Sequence, residues 1–583
     1  MTDRAMTTRN AWDREVDVLI VGAGMAGMSA ALVATSEGLQ VLVCEKTGLV
    51  GGTTATAGGT TWVPGNSQGK KTSRPDTVEA GRTYFEAEMG PDITGLREAF
   101  LATGAEAVDW FERNTEVRYK ANDPYPDYHA EQPGGAAGGR ALSPLPFDGS
   151  LLGEHFAKLR PPIPGMMVFG GMMVARDEIK HMIRPWRSLF AFRLATRRVV
   201  RYVRDRMRFH RGTHLVLGNA LAARLYYSCL QRKIEIGLNA KLVELVMNDE
   251  RVEGAVVEIE GRKQSIRARR GVMLATGGCG ASRKWRDELV GQPVPHTQVL
   301  EGSTGDGLDA GIAAGGVVDS MGAHSFWWMP SSLMPTADGS VAPFPHIRDR
   351  PKPGLIAVNK AGRRFVNEAN SYHDFVLAMF RTNPSVPSIP AWLVCDRSFI
   401  RNYGLGLIHP VWQWVKSFEK AGYVVSAPTI AGLAAKIGVD GQALAEEIQR
   451  HNRAAATGVD EAFGKGSKAL NRHNGDPEHG GPNPCLKPIE HAPFFAMAVH
   501  PAPLGACAGL RTSADAEVLD ANGAPIPGLY AIGNDMRSVM QGHYPGPGAT
   551  LGPAIVFAYR AALHAAKGVQ VARAEASRAE ARV

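Results

Sequence analysis

A strand, a glycine-rich turn and a helix near the start of the chain constrain its fold more than any other feature. Val16 to Val21 is an apolar, β-branched run that passes directly into Gly22 to Gly27 (GAGMAG) and then into a helical stretch, Met28 to Ser36. A second strand, Gln40 to Cys44, leads to Glu45. The three glycines suit a tight turn, a close approach of pyrophosphate and close helix packing, and the acid suits a ribose diol. The unit predicts an α/β fold with a dinucleotide site.

Three later segments indicate which dinucleotide this is. Gly51 to Gly59 (GGTTATAGG) is a second small-residue loop, and Gly271 to Gly278 (GVMLATGG) and Gly528 to Asn534 (GLYAIGN) are strand-like runs that end in small residues. Together they resemble the separated contact points of FAD-dependent oxidoreductases of the fumarate reductase-like superfamily. Glycine, 66 of 583 residues, is concentrated in part in such loops.

The resemblance implies a Rossmann-like α/β FAD-binding domain that is split in sequence, with an inserted α+β catalytic domain and a basic amphipathic helical insertion. The expected parts are 1–325 and 501–583 for FAD and 326–500 for the substrate. FAD would be bound non-covalently, since Gly51 to Thr54 lacks the histidine that succinate dehydrogenases link to flavin. The residues expected to contact FAD are Gly22, Gly24, Ala26, Gly27, Glu45, Lys46, Gly52, Thr53, Thr54, Gly58, Gly59, Leu242, Ala275, Gly277, Asn534 and Leu551.

Two local patterns add to this outline. Lys241 to Val257 contains two strand-like runs around Asn248-Asp249, which predicts a hairpin at the edge of the nucleotide domain. Asp306 precedes a helical stretch and is expected to cap it.

Cysteine spacing and the N-terminus bear on the class of protein. The six cysteines lie far apart and form no CxxC pair, so we expect no disulfide scaffold, zinc ribbon, iron–sulfur site or other metal. The first 24 residues carry charges throughout, and no apolar run of 18 residues occurs. The sequence predicts a cytoplasmic protein without a membrane-spanning helix.

Three further segments each place a tyrosine in a distinctive context. They are Pro126 to His129 (PDYH), Arg363 to Tyr372 (RRFVNEANSY) and Gly542 to Gly552 (GHYPGPGATLG). In them the chain closely resembles the 3-ketosteroid Δ1-dehydrogenases, bacterial FAD enzymes of steroid breakdown. The resemblance extends from Val16 to about Ala565.

The resemblance implies roles for four residues. Tyr372 would remove a proton from ring carbon 2, assisted by a hydrogen bond from Tyr128. The Tyr544 hydroxyl and the Gly548 N–H would bind the carbon 3 carbonyl oxygen, while a hydride passes from carbon 1 to FAD. The expected substrates include sterones with long side chains, such as cholest-4-en-3-one, and the reduced flavin would pass electrons to a quinone or another carrier that is not NAD.

The residue types suit this chemistry on physical grounds. A proton next to a conjugated ketone is a weak acid, so a phenolate with a pKa near ~10 is a better base for it than a carboxylate near ~4. Two tyrosines in contact are expected to stabilise that phenolate. Donors aimed at the ketone oxygen stabilise the charge that develops there.

Other interpretations stay open at this point. Tyr125 competes with Tyr128 within YPDY, and each tyrosine can be an ordinary core residue. A steroid flavoenzyme that desaturates carbons 4 and 5 of 5α-steroids shares these motifs, a fumarate reductase-like flavoprotein is more remote, and a non-catalytic lipid carrier belongs to another class. The sequence has no arginine between Arg537 and Arg560, which disfavours a dicarboxylate substrate.

The segment from Gly171 to about Thr213 is the one long stretch outside the resemblance. From Arg176 to Arg211 it has twelve Lys or Arg against three Asp or Glu, a surplus of nine in a chain whose total is +8. Pro185 is expected to start a helix. The expected apolar face and exposed aromatic residues are Leu189, Phe192, Val199, Val203 and Met207, with Trp186, Phe190 and Phe209.

A basic amphipathic helix with aromatic residues is typical of an interfacial membrane anchor, here on the inner face of the cell membrane. A helix packed on the domain, or a subunit interface, is the alternative. Nucleic acid is disfavoured because the segment has few polar side chains that read bases.

Overall fold

The computed structural model describes residues 12–175, 178–183, 185–336, 338–410 and 414–580. Two predictions rest partly on positions outside these ranges. The localisation argument used residues 1–11, and the basic segment includes positions 176, 177 and 184.

Strands and helices are interspersed along the whole chain. The described residues form strands β1 (Arg14–Val21), β2 (Val41–Glu45), β3 (Thr61–Trp62), β4 (Tyr119–Ala121), β5 (Ala141–Pro144), β6 (Phe147–Asp148), β7 (His214–Leu215), β8 (Glu235–Leu238), β9 (Ala240–Asn248), β10 (Arg251–Ile259), β11 (Arg262–Leu274), β12 (Phe326–Pro335), β13 (Val341–Pro345), β14 (Leu355–Val358), β15 (Ala391–Asp396), β16 (Val425–Ala427), β17 (Phe494–Ala506), β18 (Glu517–Leu519) and β19 (Pro525–Ala531). They form helices α1 (Met25–Ser36), α2 (Val78–Met89), α3 (Leu96–Asn114), α4 (Ile179–Ile183), α5 (Leu189–Arg206), α6 (Leu217–Gln231), α7 (Arg283–Val290), α8 (Asp306–Ala313), α9 (Tyr372–Thr382), α10 (Arg397–Tyr403), α11 (Val415–Lys420), α12 (Ile430–Ile437), α13 (Gly441–Thr457), α14 (Ala469–Asn474) and α15 (Leu551–Glu580).

The larger sheet carries the nucleotide motif. Its strands run in the order β18, β19, β11, β1, β2, β8, with β10 beside β11 and β9 beside β10. β1 pairs in parallel with β2 and with β11, and β11 pairs in parallel with β19. The early strand and the two later runs that end in small residues therefore lie side by side, so their carboxyl ends meet at one edge.

Helix α1 begins earlier than the sequence indicated. It starts at Met25, inside the glycine motif, and not at Met28. The third glycine, Gly27, lies on it where a Cβ would be only 1.9 Å from the carbonyl oxygen of Gly22. Only glycine lets the helix pack this closely on the end of β1, as the motif requires.

The second sheet is antiparallel and supports helix α9, which begins at Tyr372. Its order is β13, β12, β17, β15, β14, with β16 also on β17. Helix α9 packs against β12, and Trp328 on that strand donates its backbone N–H to His373 Nδ1 at 3.3 Å. This contact fixes the first turn of α9 on the sheet.

Two local predictions have opposite outcomes. The hairpin around Asn248-Asp249 is confirmed, since β9 and β10 pair antiparallel. The expected capping role of Asp306 is wrong: Gly305, at φ +95°, is the N-cap and Asp306 is already the first helical residue. The Asp306 carboxylate instead accepts a hydrogen bond from Lys46 Nζ at 2.8 Å.

The basic segment forms a helix that starts later than expected. Pro185–Arg187 is a short 3₁₀ turn, and α5 begins at Leu189 after Ser188, whose hydroxyl accepts from the Ala191 N–H at 3.1 Å. Phe209 is not exposed as expected, because it packs edge-on against the buried Phe156. Among the described helices, none has the length and apolar character to cross a bilayer.

Candidate active site

A cavity opens where β1, β2, β11 and β19 end. The carboxyl ends of parallel strands are where α/β proteins bind nucleotides. Most of the residues expected to contact the cofactor line this cavity, namely Gly22, Gly24, Ala26, Glu45, Lys46, Gly52, Thr53, Thr54, Leu242, Ala275, Gly277, Asn534 and Leu551. The structure thus brings together residues from seven separate stretches of sequence.

Three of the expected cofactor residues lie outside the cavity wall. Gly27 packs α1 on β1, as described above. Gly59, at φ +72°, lies where a Cβ would be 2.5 Å from the backbone nitrogen of Gly218 at the start of α6. Gly58 is exposed, with no atom within 4 Å of a Cβ built on it. A sequence pattern does not separate glycines that face a ligand from glycines that let two elements approach.

The cavity wall fits a dinucleotide. A Cβ on Gly24 would meet no atom within 4 Å, so the backbone at the start of α1 faces open space. Gly24 is the N-cap of α1 and makes no side-chain capping bond, which leaves first-turn N–H groups available to a phosphate. Across the cavity, Gly52 has φ +48°. A Cβ built on it would lie 3.3 Å from the Cα atom of Gly24.

Glu45 is held by the protein on the cavity wall. Its carboxylate accepts the Ala23 N–H at 3.0 Å, and the N–H and hydroxyl of Thr47 at 2.9 Å each. An ionised carboxylate offers about four acceptor positions, so one stays available for a ribose hydroxyl. These bonds also fix the direction of the side chain.

The wall contains further residues that the sequence analysis did not expect there. They include Arg160, Thr276, Ser303, Asp306 and Leu504. Asp306 belongs to a conspicuous Ser-Thr-Gly-Asp-Gly stretch that was assigned only a capping role. Arg160 and Leu504 come from segments without a motif, so no sequence signal pointed to them.

Asp535 is a second missed residue, buried behind the wall. Its carboxylate accepts the Thr276 hydroxyl at 2.8 Å and the Gly278 N–H at 2.9 Å, and a bond from the Thr276 N–H. Burial outweighs these bonds and raises the pKa of Asp535 to about 6. Asp535 therefore ties the end of β11 to the Gly533-Asn534 turn.

Tyr128, Tyr372 and Tyr544 form one aromatic cluster. The Tyr128 hydroxyl donates to the Tyr372 hydroxyl at 3.0 Å. Tyr544 stacks on Tyr128 with ring centroids 5.4 Å apart and meets Tyr372 edge-on at 5.3 Å. Tyr125, the competing choice, instead stacks on His473 at 4.8 Å. Residues separated by up to 416 positions in the chain thus converge at one point.

The turn that carries Tyr544 connects the tyrosine cluster to the cavity. Thr550 and Leu551 line the cavity and follow Gly548 within three residues. Gly548 has φ +102°, and a Cβ there would be 2.4 Å from the carbonyl oxygen of Thr60. Within the described residues, the Gly548 N–H donates to no acceptor. Glycine is therefore required at this position, which follows Tyr544 by four residues.

His373 holds this turn against α9. Its Nε2–H donates to the Gly542 carbonyl at 2.9 Å, while Nδ1 accepts the Trp328 N–H. Burial lowers the pKa of His373 to about 4, so the ring is neutral and its tautomer is set by these two bonds.

The tyrosine pKa values correct one expectation. Burial raises the pKa of Tyr372 well above its usual value near 10, and the contacts with Tyr128 and Tyr544 raise it further. Burial also raises the pKa of Tyr544 to about 12. Contact between the tyrosines therefore does not by itself stabilise a phenolate at Tyr372.

Comparisons with known proteins agree with this geometry. The model of the FAD binding domain family matches residues 17–551. The 4-oxocyclohex-2-ene-1-carboxylate 5-dehydrogenase of Sinomonas cyclohexanicum is 37% identical over 94% of this chain and 92% of its own length. The 3-oxosteroid 1-dehydrogenase of Mycobacterium tuberculosis strain H37Rv is 34% identical over 95% of this chain and 98% of its own.

A solved structure shows the same fold. The 3-ketosteroid Δ1-dehydrogenase of Sterolibacterium denitrificans, crystallised with 1,4-androstadiene-3,17-dione, superposes with a TM-score of 0.88 at 35% identity, covering 95% of this chain and 100% of that one. The expected mixed α/β flavoprotein fold and the FAD cofactor are confirmed. The chain belongs to the FAD binding domain family and, within it, to the FAD-dependent ketone dehydrogenases that include the 3-oxosteroid 1-dehydrogenases.

Proposed function

We propose that this enzyme desaturates carbons 1 and 2 of 3-ketosteroids. The observation that carries the proposal is the cluster of Tyr128, Tyr372 and Tyr544, with Gly548 in the turn that follows Tyr544. A base with a hydrogen-bonded assistant and two donors for a ketone oxygen are the groups that removal of a proton next to a carbonyl requires.

Each residue has a distinct part in this mechanism. Tyr544 O–H and Gly548 N–H bind the carbon 3 oxygen and stabilise the negative charge that grows there, which makes the carbon 2 proton more acidic. Tyr372, as the phenolate, takes that proton, and its O–H bond forms as the C–H bond breaks. Tyr128 donates to the same oxygen and holds it in place. Bound FAD supplies the acceptor for the hydride that leaves carbon 1.

A second candidate substrate class comes from the relative with 37% identity, which acts on a single-ring ketone that bears a carboxylate. Such a substrate needs a cation near the ring. Arg537, the last arginine before the Tyr544 turn, pairs with Asp319 at 3.1 Å, and Arg350 donates to the carbonyls of His346 and Glu368 at 2.7 Å. Both cations are already engaged, which favours a neutral steroid.

Anaerobic reduction of the bound flavin tests the proposal. The holoenzyme is mixed with androst-4-ene-3,17-dione, cholest-4-en-3-one, a 5α-reduced 3-ketosteroid or 4-oxocyclohexanecarboxylate, and flavin bleaching and products are followed. Fast bleaching with a 1,2-unsaturated product is expected from the first two. A 4,5-unsaturated product, reduction by the ring acid alone, or no reduction by any ketone would refute the proposal.

The same proposal divides the chain into FAD-binding parts 1–325 and 501–583 around a catalytic part, 326–500. Its support is the distribution of strands, since β12 to β17 form the antiparallel sheet and β18 and β19 rejoin the larger sheet that carries the nucleotide motif. Electrons from the reduced flavin would leave through a quinone or another carrier that is not NAD, because the sequence has no second complete dinucleotide motif.

The proposal extends to attachment at the surface of an anionic membrane through α5 and the turn before it. The support is an unusual exposure of large apolar side chains, which are between 58 and 75% exposed at Trp186, Leu189, Phe190, Phe192, Val200, Val203 and Met207. Apolar side chains exposed beside arginines are suited to insertion among anionic lipid headgroups.

The positive charge of this segment is smaller than the sequence count suggests. Arg198 pairs with Glu178, Arg201 pairs with Asp148 at 2.8 Å, and Arg211 is buried over the Phe156 ring. Burial lowers the pKa of Arg211 to about 10. In the described part of the segment, Arg187, Arg193, Arg197, Arg204 and Arg208 form no ion pair and supply the charge that lipid headgroups would meet.

A further inference from the structure

An acid–histidine–acid cluster lies directly beside the tyrosines. His129 Nδ1 lies 2.6 Å from Glu88 Oε2, and His129 Nε2 lies 2.9 Å from Asp374 Oδ2. His129 follows Tyr128 in the chain, and Asp374 is two residues after Tyr372. The histidine therefore bridges the two segments that carry the hydrogen-bonded tyrosines.

The bridge connects rigid elements. Glu88 lies in the last turn of α2, and Asp374 lies in the first turn of α9, where its N–H donates to the Ser371 hydroxyl at 3.1 Å. The His129 N–H donates to the Tyr84 hydroxyl at 3.3 Å, and Tyr84 in turn donates to the Pro545 carbonyl at 2.8 Å. The loop that carries Tyr128 is thus fixed to both helices.

The charges make the bridge persistent. Burial by itself lowers the pKa of His129, but hydrogen bonds and charges from Asp374 and Glu88 outweigh it and raise the pKa to about 10. Burial likewise acts against ionisation of Asp374, yet His129 lowers its pKa to about 2. Of the neighbouring groups, His543 also faces the cluster, and burial together with His324 lowers its pKa. Near neutral pH, His129 is then a cation that donates from both ring nitrogens.

We propose that His129 is a positioning residue for the reaction: bridging Glu88 and Asp374, it sets the contact between the Tyr128 and Tyr372 hydroxyls. The inference rests on the proposed function, because His129 acts only through Tyr372. A displacement of one ångström at the base is enough to slow such a step about 10²-fold.

The same loop offers a matched control. Glu131, two residues after His129, pairs with Lys468 at the surface, with about two fifths of its side chain exposed. Glu131→Gln breaks an ion pair of this loop without touching the bridge to α9. Exposed pairs contribute little to stability, so this variant separates loss of any loop contact from loss of the bridge.

The test uses FAD-loaded enzyme and androst-4-ene-3,17-dione under anaerobic conditions. His129→Gln, which bridges one carboxylate at most, is expected to lower the limiting rate of flavin reduction about 10- to 100-fold, with FAD content and substrate affinity within about threefold. The apparent pKa of that rate should rise, since a cation near the phenolate is lost. Glu88→Gln keeps an acceptor oxygen for Nδ1 and should lose less rate than Glu88→Ala, while Glu131→Gln matches wild type.

The possible results have separate meanings. A His129→Gln enzyme with the wild-type limiting rate and pH profile overturns the inference, as does a parallel loss of rate, FAD and substrate affinity. If His129→Gln does not fold with FAD, the ratio between Glu88→Gln and Glu88→Ala decides, and equal rates for the two overturn the inference. A wild-type enzyme that the steroid does not reduce overturns the proposed function, and the inference with it.

Discussion

The tyrosine cluster and helix α5 use aromatic residues in opposite ways. Tyr128 and Tyr544 are buried, and every ring of the cluster contacts another ring. On α5, Phe190 and Phe192 are mostly exposed. A monomeric soluble protein rarely exposes a large contiguous apolar patch unless that patch binds something. The difference teaches that burial decides whether an aromatic side chain meets other rings inside the molecule or stays available for contact outside it.

The two regions also differ in charge. The Tyr372 and Tyr544 hydroxyls are neutral near pH 7, because burial keeps their pKa values high. The exposed face of α5 keeps unpaired arginines in the described part. One region therefore suits a neutral ketone and the other suits anionic headgroups, and the predictions below test each side of this contrast.

The largest effect is expected from loss of the base. Tyr372→Phe keeps the ring but removes the hydroxyl, and should slow anaerobic flavin reduction about 10³-fold while FAD stays bound. Stopped-flow absorbance measures this rate. Tyr125→Phe is the control, since Tyr125 stacks on His473 outside the cluster. Equal rates for the two variants would contradict the assignment of the base.

Loss of a donor to the ketone oxygen should have the next largest effect. Tyr544→Phe removes one hydroxyl but keeps the stacking on Tyr128, and should lower the limiting rate about 10²-fold. Binding of the 1,2-unsaturated product, followed through the flavin spectrum, should weaken less than the rate falls. A change in binding alone would mean that Tyr544 shapes the pocket and does not stabilise the developing charge.

The reduction rate should rise with pH. In the proposed mechanism Tyr372 acts as the phenolate, and burial raises the pKa of this residue well above its usual value near 10. Below its pKa, the phenolate fraction grows about tenfold for each pH unit. We therefore expect the limiting rate of the wild type to increase from about pH 6 to about pH 8 in stopped-flow experiments. A flat profile would show that proton abstraction does not limit reduction.

On the other side of the comparison, acidic residues placed on the apolar face of α5 should weaken membrane binding. The double variant Phe190→Asp and Phe192→Asp should bind vesicles of phosphatidylglycerol at least about tenfold more weakly in sedimentation, with unchanged flavin reduction by a short-chain steroid. Ile93→Asp is the control, because Ile93 is an exposed apolar residue outside this segment. Vesicle-independent dimerisation that the double variant abolishes would instead identify a subunit interface.

The smallest effect is expected from removal of single aromatic rings in the basic segment, one of them packed and one exposed. Phe209→Ala removes a ring packed on Phe156 and should destabilise the region around it by about 2 kcal/mol. Phe190→Ala removes an exposed ring and should change stability by less than about 0.5 kcal/mol. Hydrogen exchange of the backbone around residues 205–215 measures both. Equal protection in the two variants would mean that the segment packs differently.

Much of the fold followed from local sequence. Strand β1, the turn at Gly22 and strand β2 were predictable because a buried parallel strand reads as a continuous apolar run. The hairpin at Asn248-Asp249 was predictable from its turn residues. The start of α5 was not, since Pro185 and Ser188 both carry signals for a helix start and only packing selects between them.

The candidate site was also predictable from the sequence only in part. The tyrosines were identified through a family resemblance, and the structure brought them within hydrogen-bonding distance. Arg160 carries no motif, because what places it at the cavity is the path of the chain around it. The outward-facing surface of α5 was also readable from spacing, but the inward turn of Phe209 depends on a partner, Phe156, that lies 53 residues earlier.

The sequence by itself determined the dinucleotide unit and the residue types suited to ketone chemistry, because these depend on short-range backbone geometry and on the chemistry of side chains. The cofactor class came from the resemblance to a known family. Only the tertiary structure decided which tyrosine pairs with Tyr372, which glycines face the cavity, and that His129 bridges Glu88 and Asp374. These features join residues far apart in the chain. Their burial and contacts, which set the pKa values, exist only once the two sheets have packed together.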